Sequence, residues 1–231
     1  IAVTADQTAG VDFPQLVEVD ITLTGPGGAR LRAVADDDSP ERLRQLAGMI
    51  TPAGVANFLV SDLAVSYDNA TATARVHARG VGSTRFEWAE GRLRAPLLDL
   101  SGFGSFNPDR ARATWREIPV VTQGPSRQLM ETRLLLPDDG AGYLLQGTAA
   151  LDERLANTRL LATASLDGGV VTTRNEEFQQ LGELAAQELP EARRAARRLA
   201  SQRLELVPPE GARWRWQLDA AERERAGRAF R

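Results

Sequence analysis

Several separate stretches of this chain alternate apolar and polar residues with a period of two, the signature of strands that bury one face. Val17, Val19, Ile21 and Leu23 alternate with Glu18, Asp20, Thr22 and Thr24. Leu63, Val65 and Tyr67 alternate with Asp62, Ala64 and Ser66; after a turn at Asp68-Asn69, Ala72, Ala74, Val76 and Ala78 oppose Thr71, Thr73, Arg75, His77 and Arg79. Such strands are stable only when their apolar faces meet another layer. The expected fold is therefore mainly β with a few helices (α+β), built from antiparallel β-sandwich-like sheets.

Punctuation between these stretches sets an expected organisation. Residues 1–14 are small and polar and read as a linker or tail. Gly25-Pro26-Gly27-Gly28 reads as a turn, with Ala29–Ala35 as a second strand. Ser39-Pro40 starts a helix carrying Leu43, Leu46, Ala47 and Ile50 at helical spacing. Thr51-Pro52 opens a further short helix, so a helical insert is expected near 39–60. Strands are expected near 83–88 and 92–98, and Ile118–Val121 ends a β-rich subdomain over 15–122. Gln123-Gly124-Pro125-Ser126 is the predicted internal boundary. An antiparallel meander plus a helix follows over 123–209, with turns at Pro137-Asp138-Asp139-Gly140 and Asp167-Gly168-Gly169. The periodicity of Ala192, Ala196 and Leu199 predicts a helix near 190–203, and Leu204–Val207 an edge strand. Residues 210–231 read as a charged linker ending in a helix. With 231 residues, 42% hydrophobic and 26% charged, the chain suffices for one large β domain or two small ones.

The residue inventory narrows the chemistry. There is no cysteine and no lysine, His77 is the single histidine, and all 28 basic residues are arginine. A thiol nucleophile, a Cys/His zinc site, a Schiff-base lysine and a phosphate-loop lysine are all excluded. His77 shares its strand face with Thr73, Arg75 and Arg79 and reads as a solvated surface histidine among cations. No Gly-x-Ser-x-Gly elbow surrounds Ser83, Ser101 or Ser105. Asp36, Asp37 and Asp38 lack the spacing of a calcium loop and read as a solvated helix approach. Gly80-Val81-Gly82 and Gly102-Phe103-Gly104 lack the third glycine of a dinucleotide site. Glu87, Glu90, Asp99 and Glu117 are the carboxylates by which a hydrolase would have to work. These residues call for no cofactor and no metal.

Two surfaces remain as partner candidates. Arg193, Arg194, Arg197 and Arg198 form a basic stripe on one helix, and Trp214 and Trp216 lie in the charged C-terminal stretch. Trp88 and Trp115 complete the tryptophans, read either as packing residues or as a sugar-stacking platform. A net charge of −3 gives no general attraction to nucleic acid, and no apolar run is long enough to span a bilayer. The opening at Ile1, with neither Met nor a leader pattern, reads as a processed or truncated product.

A family resemblance adds to this. Glu90-Gly91-Arg92-Leu93-Arg94, Phe106-Asn107-Pro108-Asp109-Arg110-Ala111-Arg112 and Trp115-Arg116-Glu117-Ile118-Pro119 carry it, with Leu134-Leu135-Leu136-Pro137-Asp138-Asp139-Gly140, Gly147 and Leu189-Pro190. Over roughly residues 15–207 the chain resembles the β-rich region after the transglutaminase-like core of bacterial proteins carrying the domain of unknown function 3857. The resemblance implies a periplasmic or secreted location and an upstream transglutaminase-like core, or another protein, as partner. That family's Cys-His-Asp triad maps onto no residue here. The expected function is a non-catalytic accessory β module for packing, substrate positioning or partner binding. The alternatives are a stand-alone envelope glycan- or peptide-binding module and a carboxylate-dependent hydrolase.

Overall fold

The computed structural model describes the chain apart from residues 37–38, 51, 53, 90, 101–102, 104–105, 107, 110, 213–219 and 230–231. Its elements run in chain order as β1 (Ala2–Asp6), β2 (Gln15–Thr24), α1 (Gly25–Ala35), α2 (Pro40–Met49), β3 (Leu59–Asp68), β4 (Thr73–Gly82), β5 (Glu87–Ala89) and β6 (Arg92–Asp99). They continue as β7 (Val120–Thr122), β8 (Ser126–Leu135), β9 (Leu144–Gly147), β10 (Ala150–Leu155), β11 (Thr158–Asp167), β12 (Val170–Gln179), β13 (Gly182–Leu184), α3 (Leu189–Ser201), β14 (Arg203–Val207) and α4 (Ala220–Ala229). The fold is mainly β with a few helices.

Among the described residues the strands form three sheets. An eight-stranded sheet has the order β10-β11-β12-β8-β1-β2-β4-β3, a four-stranded sheet the order β5-β6-β14-β9, and β13 pairs with β7. Every pairing is antiparallel except β1 with β8, so the large sheet is mixed rather than purely antiparallel. A single hydrophobic core joins the sheets and α3, from Val3 and Val19 through Leu134 to Leu199 and Leu206.

The alternating stretches become strands with the expected faces. Ala74, Val76 and Ala78 are buried while Arg75 and Arg79 are exposed. The Asp68 turn closes the β3–β4 hairpin: the Ala70 amide and the Thr71 hydroxyl donate to its carboxylate at 2.9 and 2.7 Å. The Thr71 bond, before all other effects, holds the Asp68 carboxyl below its ordinary pKa. Asp167-Gly168-Gly169 closes the β11–β12 hairpin as the turn chemistry requires. In α3, Ala192, Ala195, Ala196 and Leu199 are buried on one stripe, the pattern read from spacing.

Other expectations are corrected. Residues 1–14 are no simple tail, because Ala2–Asp6 is an internal strand with Val3 and Ala5 buried. Residues 25–35 form α1 rather than a turn and a strand. The Ala, Leu and Arg residues there are strong helix formers, and Pro26 occupies the first turn, where its missing N–H costs nothing. Leu31 and Val34 then pack toward the core three residues apart. The helical insert holds α2; among the described residues no second helix follows it, Thr51 and Ala53 lie outside them, and the chain re-enters a strand at Leu59. The Pro137–Gly140 segment is a tight turn with Asp138 and Asp139 both at φ 50°, and it carries the chain from β8 in one sheet to β9 in the other rather than closing a hairpin. Leu204–Val207 is an inner strand between β6 and β9, not an edge. The boundary at 123–126 does not divide the strands into two separate sets, since both large sheets draw strands from either side of it.

Close backbone approach constrains Gly80. A Cβ at Gly80 would lie 2.1 Å from the Leu59 carbonyl oxygen and 2.8 Å from the Phe58 ring. Gly80→Ala must push β3 off β4 beside the register shift between Val60 and Asp62. We expect a loss of about 1–3 kcal/mol, the usual cost of overpacking, read as a lower urea midpoint with an unchanged slope.

Candidate functional site: a cleft between the two sheets

The register of β8 with β12 grades the inner face of the large sheet. Leu134 opposite Val171 is fully apolar, and Thr132 opposite Thr173 is buried and polar. Beyond them Met130 faces Asn175 and Gln128 faces Glu177. Facing this polar end, β6 and β14 present Arg94 and Glu205, whose side chains pair at 2.8 Å. Polar inner faces cannot close into a dry core without leaving groups unpaired. The layers here enclose a cleft of about 560 Å³ instead, within the range of small-molecule sites.

Some charges in the wall, those of Arg94, Glu176 and Glu205, are neutralised within the protein. Glu205 also receives Arg92 at 3.1 Å, and Arg92 reaches Gln146 at 2.6 Å. Glu176 accepts Arg127 Nε at 2.7 Å. Glu177 is held by an amide, Gln179 Nε2 donating at 2.6 Å. Arg85 differs. It is 7% exposed, its Nε donates to the Pro96 carbonyl at 3.1 Å, and its buried Nη1 has no hydrogen-bond partner. Burial pulls its pKa down to about 10, so the guanidinium still carries its charge at neutral pH. The strand expected near 83–88 is corrected: residues 83–86 form a loop, β5 spans only Glu87–Ala89, and Arg85 enters the wall from that loop.

A second cluster surrounds His77. Its own strand supplies cations, as expected, but the neighbouring strand supplies acids. Asp20, directly opposite on β2, accepts from Nδ1 at 2.8 Å, and Glu18 lies 3.7 Å from Nε2. Arg79 reaches the same Glu18 at 3.2 Å. The expectation of a histidine among cations is therefore corrected: cross-strand pairing, invisible to a one-strand reading, brings the carboxylates. One ligand atom from each of Glu18, Asp20 and His77 lies within 4.8 Å of the others, a spacing a divalent cation can use. An ion there would have to displace Asp20 from His77 and compete with Arg79 for Glu18. Among the described residues no hydroxyl is hydrogen-bonded to either imidazole nitrogen.

The sequence candidates are spread rather than gathered. On α3, Arg194 and Arg198 both turn to Glu191, at 2.6 and 3.5 Å, and Arg194 foremost holds the Glu191 carboxyl below its ordinary pKa. Arg193 bends inward, Nη2 donating to the Pro108 carbonyl at 3.2 Å. Arg197 is exposed and has no ion pair among the described residues. The basic stripe thus offers a single open cation. Trp214 and Trp216 lie outside the described residues, as do Glu90, Asp37, Asp38, Ser101, Gly102, Gly104, Ser105 and Asn107. Trp88 is 57% exposed on β5, whereas Trp115 carries the Arg112 guanidinium 4.6 Å above its ring, so these two build no shared platform in the cleft. Of the hydrolase carboxylates, Glu87 lines the cleft and Glu117 is exposed on the loop before β7. No helix among the described residues is long and apolar enough to cross a membrane. Compared with models of protein families, with curated proteins and with solved structures, the chain matches none.

Proposed function

We propose that this chain is a non-catalytic β module of a transglutaminase-like cell-envelope protein, acting in the periplasm or outside the cell. Its work is to hold a ligand or a segment of a partner in the inter-sheet cleft beside a catalytic core carried elsewhere. The observation that supports this reading is the cleft's wall: ion pairs and amides beside charges of both signs that form no ion pair among the described residues, Glu87, Glu177, Arg203 and the buried Arg85. The sequence resemblance supplies the core as the partner. A stand-alone envelope binder is the second reading, and the charged wall favours a peptide over a glycan, because stacking platforms for sugars need exposed aromatic faces. The hydrolase reading rests on Glu87 and the other cleft acids, and its requirement is a pair of carboxylates set to flank one bond.

Two measurements test the proposal. The intact mass of the native protein should exceed that of this chain and include an upstream core with Cys, His and Asp. A native product confined to this chain would favour the stand-alone binder. A broad panel of chromogenic glycosides and fluorogenic peptides should show no turnover; turnover that vanishes in Glu87→Gln would establish the hydrolase instead.

A further inference from the structure

We propose that the cleft receives the carboxylate of a zwitterionic, peptide-like ligand on the guanidinium of Arg85. This deepens the reading of the cleft as a ligand site and rests on it.

A charged side chain at 7% exposure is ordinarily paired, because removing an ion from water is repaid only by an opposite charge or a full set of hydrogen bonds. Arg85 has neither. The Pro96 carbonyl takes Nε, and Nη1 is buried without a partner. Each acid of the cleft wall that an arginine neutralises is neutralised by another arginine: Glu205 by Arg92 and Arg94, Glu176 by Arg127 and Arg174. One positive charge is therefore buried in the wall without its counterion.

The surroundings hold that charge in place. The Arg85 amide is tied to Gln7 Oε1 at 3.4 Å, and Gln7 is itself fully buried. Gly54 lies against the guanidinium with φ +75°, and a Cβ there would stand 2.2 Å from Nη2 and 2.4 Å from Cζ. Residue 54 must thus lack a side chain for the guanidinium to occupy its position. With Nε committed to Pro96, the donors left are those on the two Nη atoms, and Nη1 is buried, so a ligand must come in against the guanidinium to reach it. That planar edge matches the two oxygens of a carboxylate or phosphate, the geometry that makes arginine the preferred oxyanion fork.

The remaining wall charges, the exposed Arg203 and two glutamates, choose among oxyanions. Glu87 and Glu177 line the same cleft, and neither forms an ion pair among the described residues. A simple anion would meet their repulsion. A molecule carrying an ammonium or guanidinium beside its carboxylate would satisfy both signs, as an amino acid or a short peptide with free ends does. A cleft of about 560 Å³ accommodates a ligand of that size.

The test uses the whole chain, labelled with ¹⁵N. The Arg85 Nε–H resonance is assigned by its loss in Arg85→Met, and the side-chain amides of Gln128 and Asn175 report on the cleft. Three probes are titrated: a mixture of free dipeptides, the same mixture amidated at the C-terminus, and inorganic phosphate. Free dipeptides are expected to shift all three reporters saturably, the amidated ones to bind at least tenfold more weakly, and phosphate more weakly still. Arg85→Met should lose the response while melting no lower than wild type, since it removes an uncompensated charge. Arg85→Lys, which keeps the charge but not the fork, should bind at least tenfold more weakly. Free and amidated dipeptides binding equally to the wild-type protein would overturn the assignment to Arg85 while leaving the cleft a ligand site. Phosphate binding more tightly than dipeptides would replace the peptide by an inorganic anion. Silence of all three reporters with every probe would overturn both the proposal and the reading of the cleft beneath it.

Discussion

Removing residues 1–6 is expected to abolish cooperative folding, although these residues read in sequence as part of a tail. β1 lies between β2 and β8 and joins the strands β2, β4 and β3 to β8, β12, β11 and β10. It is held on both sides: the Ile1 backbone nitrogen donates to the Leu129 carbonyl at 2.8 Å, and the Glu131 amide to the Ile1 carbonyl at 2.9 Å. Val3 and Ala5 are 1% and 0% exposed. Losing Val3 alone removes about 1.5–3 kcal/mol of burial. Each backbone group of β2 and β8 left buried without a partner costs about 1–3 kcal/mol more. Several such losses together exceed the roughly 5–15 kcal/mol by which a domain is stable. The truncated chain should show a collapsed ¹H–¹⁵N spectrum and no sigmoidal urea transition. A dispersed spectrum with a normal transition would show that β2 and β8 can close on each other directly.

Leu206→Ala is expected to give the largest loss from a single truncation in the four-stranded sheet, about 2–5 kcal/mol by the usual cost of a leucine cavity. Leu206 is 0% exposed, paired with Ala95 on β6 and Leu145 on β9. The site is walled by backbone on both sides and cannot collapse cheaply around the missing atoms. Leu144, 67% exposed on the neighbouring strand, is the matched control; its alanine variant should move the urea midpoint by less than about 0.5 kcal/mol equivalent, as surface changes do. Equal effects at the two positions would place β14 at an edge, as spacing alone suggested.

The hairpins and α3 were legible because their signals are local. Asp68 bonds residues two and three places on, Asp167-Gly168-Gly169 is a turn by its own backbone freedom, and the α3 stripe repeats every three to four residues. α1 was misread because Leu31 and Ala33 also fit a period of two; the stronger signals were the helix-forming composition and Pro26 at a first turn. β1 escaped because five residues carry too short a pattern to stand out from a polar neighbourhood. Nothing local distinguishes an edge strand from an inner one either, so β14 needed its two partners to be placed.

The candidate sites divide the same way. That His77, Glu18 and Arg79 lie on polar strand faces follows from alternation. That His77 meets Asp20 depends on the register of β2 against β4, a contact between residues 57 apart in the chain. Arg85 is further from reach, since it lies in the loop between β4 and β5, and an arginine is ordinarily read as solvent-facing. By itself the sequence determined the β-rich class, the local turns, the α3 stripe and the exclusion of thiol and lysine chemistry, because each depends on residue type and short spacing. The tertiary structure alone decided that the two halves interleave, that the inner face of β8 and β12 opens into a cleft, and that Arg85 is buried there without a counterion. Those facts are sums over contacts between distant segments, and no short window of residues contains them.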